Sequence, residues 1–410
     1  MKSFPLWHNR QFVVLSVAQL FSSLGIWLLY LAVMLLIAIH WHHGPLAVAM
    51  GIVAMMVPQI VVRPYAGMLA DRFNRKRLMG ISNVLSALAA SLLLLVQNLW
   101  QLYAVLACLG MFDAFFSPAE SGVIKEIVAD DDMDRAMSIR MMIAQGTKII
   151  GPGLSGVLVA FFNARIPFLV DGIDFVASAS LIFFVRGGRA HLKDSANESA
   201  PPLRYADGFH FLWHDLALRR LMVFFTIILT IIQLVDSQFV ILLRGAENAG
   251  QLVGFTMSAS GIGMAAAAAW VAHRHILRPL RWMSAGSVAV GVGLGSVALL
   301  VQNGWAWAVP FIVLVAVAGG ASLAIIPFQT ALQHATPVEW SGRVMAAVGA
   351  VTTAGAVAGP LLGGAAVKMI GIMPAYIAAG SLLVIVGLSG GMITWRRRLS
   401  SAQGESTVQK

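Results

Sequence analysis

Long runs of apolar residues, separated by short polar or basic stretches, follow one another along the whole chain. The runs are continuous, which favours helices over the short alternating strands of a membrane barrel. Because a bilayer core takes about 20 apolar residues per helix, the pattern predicts twelve transmembrane helices in an all-α polytopic membrane protein. The predicted spans are 11–39, 45–69, 79–97, 99–120, 137–161, 166–186, 219–243, 249–272, 282–301, 305–328, 343–367 and 371–395.

The composition supports this class. The chain has 410 residues, of which 59% are hydrophobic and only 11% charged, against roughly 25% charged residues in soluble domains. The net charge of +10 comes from short clusters between the apolar runs. Since those cations form no continuous face, we expect no nucleic-acid partner. The first apolar run is too long for a signal-peptide core, so we expect it to be retained as the first span.

The cations are distributed unevenly between the two sides that twelve spans define. Nearly all of them fall on the side of the termini, and only Arg165, Arg244 and Lys368 fall opposite. By the positive-inside rule, both termini are expected in the cytoplasm of a multi-pass protein of the cell (inner) membrane.

The longest polar stretch divides the spans into two groups of six. Residues 187–218 contain Ser, Asn and Pro, which indicates a flexible linker. The following stretch, Tyr205 to Leu221, mixes aromatic with charged residues and suits a helix on the membrane surface. We therefore expect an N-terminal half at 1–186, a cytoplasmic linker with a surface helix at 187–218, a C-terminal half at 219–398 and a disordered cytoplasmic tail at 399–410.

A basic loop between the second and third spans, GMLADRFNRKRLM at Gly67 to Met79, is the densest charge cluster. Gly67 would let a helix end approach its neighbour closely, and Asp71 would cap or charge-stabilise a facing helix. The cations would hold the loop inside the cell. An ordinary basic loop would explain the cations equally. The candidate cytoplasmic gate residues are Gly67, Asp71, Arg72, Arg75, Lys76 and Arg77.

Charged residues also occur inside two neighbouring spans. Asp113 and Glu120 lie seven residues apart on one face of span four, and Arg140 and Lys148 lie eight apart on span five. The spans are antiparallel, so we expect Asp113 opposite Lys148 and Glu120 opposite Arg140. Intramembrane charges cost several kcal/mol unless they are paired, which makes them functional candidates. A static structural pair is the alternative.

Three further acids lie in spans. Asp171 and Asp174 open span six, where capping at the membrane interface is the favoured interpretation and proton handling the alternative. Asp236 in span seven is the buried acid of the second half, and it joins Asp113 and Glu120 as a proton-coupling candidate.

Candidate cavity residues are the polar and flexible side chains within spans. Met55 and Gln59 in span two suit an adaptable apolar cavity, although lipid-facing positions explain them equally well. Gln19 and Gln233 complete the set. The histidines of the loop His40 to His43 have no carboxylate or cysteine beside them, so we expect no metal and no cofactor.

Two glycine-rich segments repeat, GTKIIGPGLSG from Gly146 and GAVAGPLLGG from Gly355. Glycine permits close helix contact and proline favours a bend. The candidate helix-bend residues are Gly151, Pro152, Gly355, Gly359, Pro360 and Gly363. The series Pro118, Arg135 and Gly151-Pro152 matches the series Pro327, Arg343 and Gly359-Pro360, at separations of 17 and 16 against 16 and 16. This indicates an internal repeat of six helices, as in many secondary transporters.

The chain resembles the major facilitator superfamily over nearly its whole length, and the basic loop looks like that superfamily's signature between spans two and three. Asn74 stands where the family usually has Gly, and Asn accepts left-handed backbone angles. The resemblance implies that Asp71 and its arginines latch the cytoplasmic side against the start of span eleven, near Ser341 to Arg343. The corresponding second-half loop, His273 to Met283, lacks the Asp and Gly, so asymmetric gating is expected.

Several motifs are similar to the macrolide-efflux and enterobactin-exporter branch of drug:proton antiporters. They are QLFSSLG at Gln19, FFSPAESG at Phe115, PFLVDGIDF at Pro167, DGFHFLWHDLALRRL at Asp207 and the glycine-rich run at Gly355. Many members of that branch have an Asp after the glycine of span one, where this chain has Ile26, so coupling at that position is excluded.

The resemblance implies proton-driven efflux of an amphipathic small molecule by a monomer in the lipid bilayer. Asp113, Glu120 or Asp236 would carry the proton. Export of an endogenous siderophore or lipid-like metabolite is the alternative. A membrane enzyme or sensor is a third class, but the chain has no nucleotide loop and no catalytic constellation at a recognisable spacing.

Overall fold

The computed structural model describes residues 6–162, 165–185, 205–245, 249–274, 278–303, 308–336 and 341–408. Some side chains within these ranges, including those of Asp71 and Lys148, are not described. The described residues form α-helices joined by short turns. The helices are α1 (Arg10–Leu35), α2 (Pro45–Arg72), α3 (Arg75–Leu92), α4 (Leu99–Ile127), α5 (Met133–Phe161), α6 (Ile166–Phe184), α7 (Tyr205–His214), α8 (Leu216–Asp236), α9 (Phe239–Leu243), α10 (Ala249–Ala272), α11 (Pro279–Gln302), α12 (Ala308–Ala335), α13 (Ser341–Ile370) and α14 (Ile372–Val408).

Every predicted span falls on one of these helices. Within the described residues, 10 helices are long and apolar enough to cross a membrane. The two remaining predicted spans fall on α3 and α5, which carry more polar residues. On α3, Ser82, Asn83 and Ser86 are buried inside the protein, so their polarity faces other helices. The predicted all-α polytopic class is confirmed.

The helix ends differ from the predicted span ends because capping residues, and not hydropathy, determine where a helix starts. Asn98 caps α4 by accepting from the backbone N–H of Gln101 at 3.0 Å. The same helix runs on to Ile127, past the predicted end at 120. Near the C-terminus of the chain, α14 extends to Val408, through most of the segment expected to be a disordered tail. No proline follows Pro374 to stop that helix.

The predicted surface helix is divided in two. Asp215 accepts from the backbone N–H groups of Ala217 at 2.7 Å and Leu218 at 3.1 Å, and so caps α8. The shorter α7 therefore ends at His214. It packs on α8 and α13 through the buried Leu212.

The helices form two compact units. The first contains Met1–Ser199 and Leu243–Ser258, and the second contains Ala200–Leu242 and Ala259–Lys410. In the first unit, α1 packs on α5 and α6, α3 packs on α4 and α6, and α2 packs on α4. Hydrogen bonds join three of these helices, since Asn83 Nδ2 donates to Ser178 Oγ at 2.7 Å and Ser178 Oγ donates to the carbonyl of Ala18 at 2.8 Å.

The second unit repeats the same pairing. Its α8 packs on α13 and α14, and its α11 packs on α12 and α14. The hydroxyl of Ser322 on α12 donates to the carbonyl of Met264 on α10 at 3.2 Å, as α4 meets α2 in the first unit. Each unit has its own apolar core, which in the second includes the stacked rings of Phe225 and Phe328 at 3.9 Å. The six-helix repeat predicted from the spacing is therefore present in the packing.

Candidate functional site

The basic loop is a tight turn of two residues between α2 and α3. The Asn74 side chain accepts from the backbone N–H of Arg77 at 3.0 Å, with φ −62° and ψ 111°. Asn74 is therefore an N-cap in the extended region, and it does not use the left-handed angles by which Asn was expected to replace the family's Gly. The reason is that the chain enters a new helix here, where a side-chain acceptor satisfies a free N–H group.

Arg75 joins three helices at this turn. Its Nη1 forms an ion pair with Glu126 Oε1 at 2.8 Å. Its guanidinium also donates to the backbone carbonyls of Ala70 at 3.2 Å and Gly122 at 3.3 Å. A Cβ at Gly122 would overlap the Nε of Arg75. The missing side chain of Gly122 is therefore what lets Arg75 lie flat across α4.

Lys76 binds the end of α6. Its Nζ donates to the carbonyl of Phe183 at 2.6 Å and lies 5.2 Å from the centre of that ring. A cation is favourable at a helix C-terminus, where carbonyls lack partners. Two of the four predicted gate cations thus bind other helices of the first unit, while Arg72 and Arg77 are exposed.

The structure does not support one part of the gate prediction, the close approach at Gly67, and it does not describe the side chains of another part, the latch of Asp71. Among the described residues, a Cβ at Gly67 would meet nothing within 4 Å, so the predicted close helix approach there is not observed. The helix continues through Gly67 to Arg72, which places the turn further along the chain. The side chains of Asp71 and Ser341 to Arg343 lie outside the described ones.

An ion pair between a buried acid and a partly exposed arginine links α4 with α5. Glu120 is 2% exposed, and its Oε2 receives Arg140 Nε at 2.8 Å. The Nη2 of Arg140 also donates to Ser117 Oγ at 2.9 Å, and Gln19 Nε2 of α1 donates to the Arg140 carbonyl at 3.3 Å. The expected pairing of Glu120 with Arg140 is therefore present.

The second oxygen of this carboxylate, Glu120 Oε1, has no hydrogen-bond partner among the described residues. A buried carboxylate oxygen without a partner is unfavourable at membrane depth. The pair therefore satisfies only half of the acceptor capacity of Glu120.

Asp113 lies two helical turns from Glu120 on α4 and contacts α2. Its Oδ2 accepts a short hydrogen bond from Gln59 Nε2, and the charge of Arg63 acts on it electrostatically. Because the Lys148 side chain is not described, the predicted pair with Asp113 remains a prediction. Asp113 and Gln59 are both candidates from the sequence, but their spacing along the chain does not predict this contact.

The α2 and α4 backbones approach closely beside this contact. A Cβ at Gly110 would overlap the carbonyl oxygen of Met55. Met55 is half-buried and Gln59 is similarly placed on α2, so neither is wholly enclosed. Together with Asp113, Gln59 forms a polar contact between the two helices beside the apolar Met55.

Asp171 and Asp174 do not cap α6, which corrects the favoured prediction. The helix begins at Ile166 with Pro167 in its first turn, so Asp171 lies one turn too deep to reach a free N–H group. Asp171 is 0% exposed and Asp174 6%. Within the described part of the chain, both oxygens of Asp171 and Oδ2 of Asp174 lack hydrogen-bond partners.

In the second unit, Asp236 is exposed and not buried as predicted. It is the last residue of α8, and Ser237 turns the chain toward α9, so neighbouring helices do not enclose the carboxylate. Near it, the Tyr376 hydroxyl donates to the carbonyl of Val235 at 3.0 Å.

The glycine-rich face of α13, formed by Gly355, Gly359 and Gly363, packs against α8. A Cβ at Gly355 would lie 2.9 Å from Thr230 Oγ1, and one at Gly359 would lie 2.6 Å from Gln233 Cβ. At Gly363 it would overlap the carbonyl oxygen of Leu234. The predicted close contact is thus observed, and α13 is assigned as one helix through Pro360.

The first unit has the same contact between α5 and α1. A Cβ at Gly151 would lie 2.5 Å from Trp27 Cβ, and Ser155 Oγ donates to the carbonyl of Leu28 at 2.8 Å. The Pro152 side chain is not described. Glycines at matching repeat positions therefore serve matching helix pairs.

Long apolar helices in two units of like packing, with charged pairs between helices, define a polytopic protein of the secondary-transporter type. The chain belongs to the Major Facilitator Superfamily, whose sequence profile matches residues 15–353. It is thus a membrane transporter and not an enzyme. The resemblance to this superfamily drawn from the motifs is confirmed.

Relatives of known name support the same family. The chain is 34% identical over 389 residues to the uncharacterized MFS-type transporter YfiS of Bacillus subtilis (strain 168), covering 94% of this chain and 93% of that one. It is 24% identical over 387 residues to the multidrug efflux pump Tap of Mycolicibacterium fortuitum, covering 90% and 93%. Macrolide efflux protein A of Streptococcus pyogenes is 22% identical over 357 residues, covering 84% and 86%.

Solved structures show the same fold. A crystal structure of a mutant of the nucleoside transporter NupG aligns with a TM-score of 0.72 at 12% identity, covering 94% of this chain and 99% of that one. At this identity the likeness concerns the fold alone.

Proposed function

We propose that the protein exports amphipathic small molecules by exchange for protons, through alternating access in the cell (inner) membrane. It acts as a monomer with both termini in the cytoplasm. Its two six-helix halves, 1–186 and 219–398, are joined by the linker 187–218. The substrate and the proton bind in turn as the halves rock about a central site.

The observation that carries this proposal is the Glu120–Arg140 pair. A carboxylate that is 2% exposed and bound by a guanidinium on one oxygen only is held by an attraction that a single proton abolishes. Uncharged Glu120 would leave the Arg140 cation without compensation. Because the Arg140 side chain is only 25% exposed, the unpaired cation would then be favoured to turn further toward water or another acceptor.

The movement of Arg140 has a defined route. Its Nη2 already contacts Ser117 Oγ, one turn before Glu120 on α4, so the guanidinium can pivot toward that exposed hydroxyl. Gln19 of α1 holds the Arg140 carbonyl. Protonation of Glu120 would therefore change the contact of α5 with both α4 and α1.

Asp113 and Asp236 remain alternative proton carriers. Asp113 is held by Gln59 of α2, so its protonation would alter the α2–α4 contact. Asp236 is exposed at the end of α8, unlike the buried Glu120. The order of preference is Glu120, then Asp113, then Asp236.

The substrate class is supported by relatives and by the α2–α4 pair. Tap and macrolide efflux protein A are named for the efflux of drugs. In this chain, Met55 and Gln59 of α2 offer a flexible apolar surface beside a hydrogen-bonding amide, which suits molecules with both characters. Arg75, Lys76 and their partners would hold the cytoplasmic ends of α2, α3, α4 and α6 together during the cycle.

The test is uptake into inverted membrane vesicles that contain the full-length protein, with the vesicle lumen made acidic. The panel comprises a macrolide, a cationic dye, a catecholate siderophore and a lysophospholipid. We expect gradient-dependent uptake of the macrolide or the dye, and loss of that dependence in Glu120→Gln. The matched control is Asp131→Asn, the same chemical change at an exposed acid outside the spans.

The outcomes separate the alternatives. Gradient dependence lost only in Asp113→Asn or Asp236→Asn would transfer the proton role to that residue. Uptake that ignores the gradient in the unmodified protein would reject proton exchange. Uptake confined to the siderophore or the lysophospholipid would replace drug efflux by export of an endogenous product.

A further inference from the structure

Asp171 in α6 is a buried acid that the proposed cycle does not use. It is 0% exposed, and neither of its carboxylate oxygens has a hydrogen-bond partner among the described residues. Asp174, one turn along the same helix, is 6% exposed and has one oxygen without a partner there. Both carboxylate oxygens of Asp171 are thus hydrogen-bond acceptors without a partner among the described residues.

The α1 helix closes over this carboxyl group at Gly25. A Cβ at Gly25 would overlap Asp171 Oδ1, and would lie 3.5 Å from Asp171 Cγ and 3.4 Å from Asp174 Cβ. The overlapping atom is the terminal oxygen of a side chain, so a methyl group at position 25 displaces the Asp171 carboxyl group, and only a larger side chain is incompatible with the present α1–α6 distance. On the α3 side, a Cβ at Gly172 would lie 3.6 Å from Ser91 Oγ, an ordinary contact. The carboxyl group is enclosed by the backbone of α1.

Among the described side chains around α6, no cation compensates a charge on Asp171. The titratable groups on the helices that pack against α6 are Arg10 and Tyr30 on α1, Arg75, Lys76 and Arg77 on α3, and Asp134, Arg135, Arg140 and Lys148 on α5.

The described cations among them are engaged or exposed elsewhere. Arg140 binds Glu120, Arg75 binds Glu126, and Lys76 binds the opposite end of α6. The charges that act on Asp171 are those of Asp174 and of Asp113 on α4, both of its own sign.

A charged carboxylate in these surroundings is strongly disfavoured. Burying an ionised group without a partner costs several kcal/mol at membrane depth, and neighbouring acids add repulsion. A neutral carboxylic acid costs much less. The packing of α1 on α6 is therefore compatible with a bound proton on Asp171 and incompatible with a free charge.

We propose that Asp171 is a second proton-binding site, which holds its proton while Gly25 of α1 packs against it and releases it when α1 moves away from α6. On release the O–H bond breaks, the proton passes to water admitted between the two helices, and the carboxylate becomes hydrated. Proton release and separation of α1 from α6 are thus one event. This inference rests on the proposed function for its role in transport, but the protonation itself does not.

The direct test is infrared difference spectroscopy of the purified full-length protein in lipid nanodiscs during a pH titration. The protonated carboxyl group has a carbonyl stretching band that a carboxylate lacks. We expect such a band at neutral pH in the unmodified protein and its loss in Asp171→Asn, with Asp131→Asn as the unchanged control. An unaltered spectrum in Asp171→Asn would mean that Asp171 is ionised, and would overturn the proposal.

Gly25→Leu tests the link to helix packing. The added side chain is too large to be cleared by rotation of the Asp171 carboxyl group, so it must push α1 from α6, and we expect the neutral-pH band of Asp171 to disappear because the carboxyl group becomes hydrated and ionises. Gly172→Ala, whose methyl group has room, should keep the band. Retention of the band in folded Gly25→Leu would reject the coupling of the proton to helix separation. If Gly25→Leu does not fold, Gly25→Leu combined with Asp171→Ala should fold, since the larger side chain is then exchanged between the two facing positions, and failure of that pair would contradict the proposed contact.

Transport separates this inference from the function on which it rests. In the vesicle assay, Asp171→Asn should bind substrate but lose part of the dependence on the proton gradient. Loss of the infrared band with an unchanged gradient dependence would make Asp171 a structural acid and reject its role in coupling. If the unmodified protein shows no proton-driven uptake at all, the proposed function fails while the spectroscopic test of Asp171 still stands.

Discussion

The two units repeat the same helix pairing but differ in what lies between the helices. In the described part of the first unit, buried contacts include Glu120 with Arg140, Asp113 with Gln59, and the enclosed Asp171. In the described part of the second, α8 and α13 meet through glycines, and the acid of α8 is exposed. Since buried charge is costly, these buried acids of the first unit are the positions where we expect a function for the charge.

A repeated backbone therefore does not require repeated chemistry. Close contacts at Gly151 and Gly359, which occupy matching positions, are backbone features and occur in both units. The charged contacts depend on single side chains, and the two inter-helix ion pairs described above, Glu120 with Arg140 and Arg75 with Glu126, lie in the first unit. Substitutions in the two units can test this division, and we expect the largest effect at the buried ion pair.

Arg140→Met should have the largest effect on stability. It leaves Glu120 buried without its cation, which should lower the free energy of unfolding by about 3–5 kcal/mol. Combining it with Glu120→Gln should restore most of the loss. Denaturant unfolding of the purified protein measures both. In the second unit, Ser322→Ala removes a neutral hydrogen bond and should cost about 1 kcal/mol. Equal losses in the two units would contradict the contrast between them.

Alanine at the close-contact glycines should have a similar effect in both units. Gly151→Ala and Gly363→Ala place a methyl group against Trp27 and the Leu234 carbonyl, and each should cost about 1–3 kcal/mol by overpacking. The controls on the same helices are Gly146→Ala and Gly349→Ala, where an added Cβ meets nothing within 4 Å. Those controls should stabilise the helix by up to about 1 kcal/mol. Thermal unfolding in nanodiscs distinguishes the sets, and a loss in only one unit would show that the interface is not shared.

Substitutions at the N-cap of the third helix in each repeat should have a smaller effect on stability. Asn74→Ala should cost about 1 kcal/mol by removing the cap of α3, and Asn74→Gly only a few tenths. The matching helix α11 starts after Arg278, which makes no side-chain cap hydrogen bond, so Arg278→Asn should gain stability there. Urea titration measures the free energy of unfolding for both changes. If Asn74→Gly instead stabilised the protein, the backbone at residue 74 would be inferred to adopt the left-handed conformation.

Gly122→Ala should have the smallest effect on stability and a clearer one on transport. The methyl group displaces the Arg75 guanidinium and breaks a partly exposed ion pair, which contributes about 1 kcal/mol or less. In α11, Pro279 stands where α3 has Arg75, and a proline cannot form this ion pair. We expect slower export with nearly unchanged melting, and Gly80→Ala, with open space around it, as the control. If Gly122→Ala exported substrate as fast as Gly80→Ala, the ion pair of Arg75 would have no role in gating.

The helix class could be predicted from the sequence because each span is a long apolar run. The Glu120–Arg140 pair could also be predicted, since two antiparallel helices joined by a short turn place those residues at similar depth. Helix ends were less predictable, because caps such as Asn98 and Asp215 act independently of hydropathy.

The partners of the gate cations and the surroundings of Asp171 could not be predicted. Lys76 binds a carbonyl 107 residues away and Arg75 a carboxylate 51 residues away, and no local spacing encodes such contacts. Gly122 and Glu126 were therefore missed. The capping role expected for Asp171 was wrong because its distance from the helix start depends on where Pro167 opens the helix.

Gly363 meets the carbonyl of Leu234, a main-chain atom that every residue type at position 234 would supply. A saturation mutagenesis scan should therefore record strict intolerance at position 363 and broad tolerance at 234 across the same contact. Laboratory selection for new substrates would then find its solutions on the α8 side of the interface, while α13 stays constant.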